Sequence, residues 1–215
     1  MTYKLVIFDM DGLILDTEKF YYDSWFKFSE EYGFVYNLDK RKALAGMDGN
    51  KINQLIAKDI GSMDKAIELR QKLADYRKEY FMSFKGDMKK EGLMDLLEYL
   101  KENNIKACVA SSSSREKITY LLENQGISQY FDYYVSGHEV KNGKPHPDIF
   151  LKALSLSNLK KKDALILEDS FNGYRAAKSS GIDYVIIHDS SFAKDFVADK
   201  EVNNLREVIS FIEMK

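Results

Sequence analysis

Cysteine is almost missing from this chain. Cys108 stands alone among 215 residues, which excludes an internal disulfide framework and a cysteine-rich zinc site and suits a reducing compartment. Long apolar runs are missing too: the longest, such as Leu5 to Phe8 and Ala164 to Leu167, fall far short of the ~20 residues that span a bilayer. No secretory leader is read at the start, so the expected location is cytoplasmic, with no membrane partner. Neither sign of charge dominates. Thirty-two Lys and Arg against 34 Asp and Glu leave a net charge of -2, so no bulk field favours nucleic acid. Proline is scarce as well, two residues where average usage of ~5% would give roughly eleven. Both fall in Lys144-Pro145-His146-Pro147, which points to one loop with a stiff backbone.

What is present describes a globular chain able to bury a core: 45% apolar, 31% charged and 13% aromatic residues. At a typical ~150 residues per domain, this length suits one elaborated domain or a main domain with a smaller insert. Leu5-Val6-Ile7-Phe8 is apolar on both faces, so Tyr3 to Asp9 reads as a buried strand. Similar runs recur at Lys106 to Ala110, Phe131 to Val135, Ala164 to Leu167 and Tyr184 to Ile187. Between them, Leu93, Leu96, Leu97 and Leu100 keep helical spacing, as do Ile118, Leu121 and Leu122, and Ile149, Phe150, Ala153 and Leu154. Strands alternating with helices predict an α/β fold, a doubly wound parallel sheet covered on both faces.

The alternation lapses after Thr17. Phe20, Tyr21, Trp25, Phe28 and Tyr32 predict one helix, Ile52, Leu55 and Ile56 a second, and Ile67, Leu69, Leu73, Tyr76, Tyr80 and Phe81 a longer third. The expected organisation is a sheet domain of residues 1–16 and 85–215, with an all-helical insert of residues 17–84. Two chain crossings would then permit hinge motion.

Candidate chemistry collects at strand ends. Asp9 and Asp11 follow the first strand as Asp9-Met10-Asp11-Gly12, and ligands of open α/β sheets bind beyond the carboxyl ends of strands. Spacing alone is weak, because 19 aspartates predict roughly 1.7 such triplets by chance. A solvated turn is the competing reading. Ser111 opens a serine run before a helix, where hydroxyl and free N–H groups form an anion site or simply cap the helix. Glu168 and Asp169 end another strand; beside Asp9 they would repel unless a divalent cation lay among them, and hard oxygen ligands suit Mg²⁺. The alternative there is a helix cap by Asp169 or Ser170. Lys144 could bring a point charge to a phosphate. Cys108 is read as packing, and His138, His146 and His188 lack metal-ligand spacing.

Taken together, Phe8 to Glu18 (FDMDGLILDTE), Ser111, Lys144 and Glu168-Asp169-Ser170 resemble, in order, the four motifs of the haloacid dehalogenase-like phosphotransferase superfamily. The helical insert is similar to that family's type 1 cap, and the nearest branch is the beta-phosphoglucomutase-like phosphatases. The resemblance implies a Rossmann-like core and a phosphoric monoester hydrolase that acts on a small phosphorylated metabolite, a sugar phosphate being favoured. Asp9 is then the nucleophile that forms an aspartyl-phosphate. Asp11 is the general acid and later the base, with anionic neighbours expected to help it keep a proton near neutrality. Mg²⁺ is held by Asp9, the Asp11 carbonyl, Asp169 and, through water, Glu168. Ser111, the Ser112 amide and Lys144 hold the phosphate, and the turn from Gly12 to Thr17 serves as flap and hinge. A monomer is expected.

A sugar-phosphate mutase is the alternative, and a non-catalytic phosphate-binding module a second. The mutase pattern has a His in the first cap helix and an Arg three residues after a cap-loop Gly. Here Tyr21 and, counting from Gly46, Gly49 stand in those places, which favours net hydrolysis. Lys51, Arg77 or Lys78 could substitute if the alignment shifts.

Overall fold

The computed structural model describes residues 3–44, 49–188 and 196–215. Two compact units divide the chain: Met1–Asp16 with Asp87–Lys215, and Thr17–Gly86.

The first unit is built on a parallel sheet. Its strands are β1 (Leu5–Phe8), β2 (Lys106–Ser111), β3 (Tyr133–Ser136), β4 (Ala164–Glu168), β5 (Asp183–Ile187) and a two-residue edge, β6 (Glu201–Val202). Their order is β3-β2-β1-β4-β5-β6, so β1 lies at the point where the winding reverses. β1 to β5 are the five runs predicted from apolarity, and β1, β4 and five of the six residues of β2 are buried on both faces. Phe8 is level with Val109 and with Leu167, so the residue after each strand emerges at one edge of the sheet.

In order along the chain, the helices of the second unit are α1 (Glu18–Ser29), α2 (Leu38–Leu44), α3 (Gly49–Ile60) and α4 (Met63–Ser83). Those of the first are α5 (Leu93–Glu102), α6 (Arg115–Asn124), α7 (Asp148–Ser157), α8 (Phe171–Ser180) and α9 (Glu207–Glu213). The leucine and isoleucine stripes named from sequence are the buried faces of α5, α6 and α7. Ile7, Cys108, Ala110, Phe150, Ala153, Ile166 and Ala177 share one core cluster between sheet and helices. Cys108 is fully buried, and burial pushes its thiol up to about 12, as suits a packing residue.

The helical unit has its own core. Trp25, Phe34, Tyr36, Ile56, Leu69 and Leu73 pack together, with Trp25 stacked on Tyr36 at 5.1 Å between centroids. One expectation fails here. Ile67 is half exposed, because α4 turns Ala66, Leu69 and Leu73 inward and residue 67 falls beside that stripe.

Among the described residues no helix is long and apolar enough to cross a membrane.

Candidate active site

Asp9 leaves β1 with its N–H still in the sheet, donating to the Leu167 carbonyl at 3.0 Å. This fixes its side chain at the carboxyl ends of β1 and β4, where Glu168 is the last strand residue rather than the first of a loop. Lys144 arrives from the proline-bearing loop. Its Nζ donates to Asp9 Oδ1 and to Glu168 Oε1, each at 2.5 Å, and all three side chains are at least nine-tenths buried. Burial pushes the Asp9 carboxyl up to about 7; the Lys144 charge opposes that rise and the Glu168 charge adds to it. Burial pulls on the Lys144 ammonium in the other direction, but the Asp9 and Glu168 charges more than offset it and hold it above the ordinary lysine value.

Glu168 is the most enclosed member. Its Oε2 accepts from the N–H of Asp169 at 2.7 Å, the N–H of Ser170 at 2.8 Å and the Ser170 hydroxyl at 3.1 Å. Ser170 caps α8 by accepting from the Gly173 N–H, so the capping role weighed for Asp169 or Ser170 belongs to Ser170. Asp169 lies alongside. Carboxylate oxygens of Asp9, Glu168 and Asp169 all lie within 4.8 Å of one another, and Oδ1 of Asp169 is buried and accepts no hydrogen bond. Three carboxylates stand here against one positive charge from Lys144 among the described ion pairs, a surplus of negative charge. Hard oxygen donors with that surplus fit a divalent cation, so these residues could hold a metal.

Ser111 ends β2, the strand on the other side of β1, and is buried. Its hydroxyl accepts from the Ser113 N–H at 3.1 Å; the cap of α6 is Ser114, which accepts from the Lys117 N–H. The capping role weighed for the serine run therefore belongs to Ser114. Ser112 is exposed and packs closely against the next strand's end, where a Cβ on Gly137 would lie 2.9 Å from the Ser112 Cα. Two residues after Asp9, the Asp11 carboxylate meets Ser113 and Lys117, each at 2.7 Å. The Asp9 carboxylate is an anionic neighbour of Asp11, as expected, and the Lys117 ammonium is a cation that the sequence did not point to.

Gly12, at φ +88°, takes the left-handed turn that lets residues 12–15 fold back, with its N–H on the Leu15 carbonyl at 2.9 Å. Leu13, Ile14 and Leu15 are buried, and Leu15 bridges to Lys89. Thr17, also buried, precedes α1. In this way β1, β2 and β4 bring Asp9, Asp11, Ser111, Lys144, Glu168 and Asp169 to one edge of the sheet.

The family model for haloacid dehalogenase-like hydrolases matches residues 6–187. The chain belongs to that family. It is 31% identical to the phosphorylated carbohydrates phosphatase of Thermotoga maritima, over 86% of each chain. To the beta-phosphoglucomutase of Bacillus subtilis it is 29% identical, over 83% of this chain and 80% of that one. Among solved structures, beta-phosphoglucomutase from Clostridium difficile superposes with a TM-score of 0.78 at 24% identity, covering 99% of this chain and 96% of that one, a likeness of fold. These relatives place the family member in the beta-phosphoglucomutase-like branch.

Of the residues that bear on mutase chemistry, Tyr21 lies in α1, Gly49 begins α3, and Gly46 falls outside the described residues. Arg77, weighed as a substitute, is engaged within its own unit. Its Nε donates to Ser24 Oγ at 2.8 Å and Nη2 to the Tyr21 carbonyl at 3.3 Å, with the guanidinium 4.8 Å from the Tyr21 ring centre and 5.3 Å from that of Trp25. Burial draws its pKa down to about 10.

Proposed function

We propose that this protein is a Mg²⁺-dependent phosphatase that hydrolyses a small phosphorylated metabolite of the sugar-phosphate class through an aspartyl-phosphate on Asp9. The observation that carries the reading is the junction of Asp9, Lys144 and Glu168 at the point where the winding reverses, with Asp169, Ser111 and Asp11 around it. The phosphorylated carbohydrate in the name of the Thermotoga relative supports the substrate class.

Asp9 attacks phosphorus in line; a carboxylate needs no base to activate it, and its acyl phosphate is open to hydrolysis. Burial that raises Asp9 also keeps the nucleophile poorly solvated, so an adjacent cation is required to keep it charged. Asp9, Asp169 and the Asp11 carbonyl, with Glu168 through water, would hold Mg²⁺, which supplies charge neutralisation for the approach of a carboxylate to a phosphate dianion. Lys144, the Ser111 hydroxyl and the Ser112 amide bind the remaining phosphoryl oxygens. Asp11 gives its proton to the leaving alkoxide and then takes one from the water that cleaves the acyl phosphate. In this reading the helical unit is the cap, and the Gly12–Thr17 turn its flap and hinge. Tyr21 and Gly49 offer no bidentate clamp for a second phosphate, which favours hydrolysis over isomerisation.

The test is phosphate release over a panel of sugar phosphates, with Mg²⁺ or excess chelator. Release that depends on Mg²⁺ and falls at least about a hundredfold with chelator is expected. Isomerised sugar phosphate exceeding free phosphate would establish a mutase instead, and no release from any ester would leave a binding module.

A further inference from the structure

The Asp11 carboxylate is held by two side chains that no motif accounts for. Lys117 Nζ donates to Oδ1 and Ser113 Oγ to Oδ2, both at 2.7 Å, and Lys117 Nζ also donates to Ser113 Oγ at 3.1 Å. Three groups thus form a closed triangle. Ser113 is itself pinned from three directions: its N–H lies on Ser111 Oγ, its carbonyl accepts from Ser136 Oγ at 2.7 Å, and its hydroxyl reaches Asp11. The C-terminal end of β3 therefore braces the residue that braces Asp11.

Lys117 sits in an unfavourable place for a cation. It is the third residue of α6, in the first turn, where the helix dipole favours anions. A lysine there that served only solubility would extend into water. Instead its side chain is about one-fifth exposed, as is that of Asp11. The ion pair with Asp11 offsets the opposed dipole and holds the ammonium at that carboxylate.

We propose that Lys117, together with Ser113, is a positioning residue that sets the Asp11 carboxyl for its two proton transfers. The inference rests on the phosphatase reading above. Lys117 touches no reacting atom in this account; it acts through Asp11. One carboxyl must reach the leaving-group oxygen in the first step and the attacking water in the second, and a misplacement of an ångström costs on the order of a hundredfold.

The experiment compares Lys117→Met and Lys117→Arg with the unaltered protein on two esters with Mg²⁺, an alkyl phosphate such as glycerol phosphate and 4-nitrophenyl phosphate. Nitrophenolate departs without a proton, whereas an alkoxide needs one. For Lys117→Met, kcat/KM on the alkyl ester is expected to fall roughly thirtyfold to a hundredfold, with less than about a threefold change on the aryl ester. On the aryl ester kcat should fall and nitrophenolate should appear in a burst, because only the second step is impaired. Lys117→Arg keeps the cation and should recover most of the loss. In an Asp11→Asn background, Lys117→Met should cost less than about twofold, since the two residues act as one unit.

Equal losses on both esters, or full additivity with Asp11→Asn, would overturn the positioning role and mark Lys117 as a stabilising residue only. So would unchanged kinetics in Lys117→Met. Asp9→Asn is run in parallel. If it keeps full activity the phosphatase reading falls and takes this role with it; if it is silent while Lys117→Met behaves as the unaltered protein, the role alone falls.

Discussion

Asp9→Asn is expected to lower phosphate release by about a thousandfold or more, with the fold intact. The amide is nearly the same shape as the carboxylate but cannot displace a leaving group at phosphorus to give a stable acyl phosphate. It also removes one of the two anions on Lys144. Stability should move differently. Burial raises Asp9 above its unfolded value, so the metal-free fold penalises the charged form as the pH rises through about 7. A neutral amide escapes that penalty. In metal-free buffer at pH 8 the melting temperature of the variant should equal or exceed that of the unaltered protein, as expected where a strained site is kept for function. The comparison needs only a phosphate-release assay and a thermal melt. Activity above a tenth of normal would remove Asp9 from the chemistry.

Gly173→Ala is expected to have the next largest effect, although residue 173 bears no functional group. A Cβ built there would lie 1.8 Å from Glu168 Cδ and Oε1 and 2.2 Å from Oε2, distances that no contact tolerates. Glu168 would have to leave its seat. With it would go the contact with Lys144 and the bonds from Asp169, Ser170 and the Ser170 hydroxyl. Stranding a buried carboxylate costs several kcal/mol, which in a chain of this size lowers the melting temperature by roughly 5 °C or more. Activity should fall at least about a hundredfold, because Lys144 and the metal ligands shift together. The cause is checked with Glu168→Ala, which frees the space: adding Gly173→Ala to that variant should cost almost nothing further. A fully active, normally stable Gly173→Ala would show that the carboxylate of Glu168 is not needed where it stands.

Much of this arrangement could be read from the chain because its elements advertise themselves. Strands buried on both faces need continuous apolar residues, so β1, β2 and β4 stand out, and the carboxylates that follow β1 and end β4 inherit a known edge of the sheet. What escaped notice lacks such a signal. β6 is two residues long and exposed at its first, and α2 is a seven-residue helix. α8 buries Gly173, Ala176, Ala177 and Ser180, small residues that leave no apolar stripe. Close packing against Glu168 demands that smallness, so the feature that hides the helix also makes the site.

Within the site, Lys117 and Ser113 were missed for a related reason. Serine and lysine are common, and nothing in their spacing separates a pair that holds a distant carboxylate from a cap and a solvated side chain. The available clue was the lysine in a first helical turn just after a serine cap, a placement the helix dipole disfavours. Ser113 and Lys117 lie more than a hundred residues from Asp11 along the chain, so no local pattern links them to it.

The central claim is that Asp9 becomes covalently phosphorylated within this ring of groups. The most direct test supplies 4-nitrophenyl phosphate and Mg²⁺ to Asp11→Ala, in which the first step needs no acid and the second lacks its base. Mass spectrometry of the peptides should then find the mass of one phosphoryl group on Asp9, absent when Asp9→Asn is added. Continued turnover with that peptide unmodified, or a phosphoryl group carried by a different residue, would contradict the account.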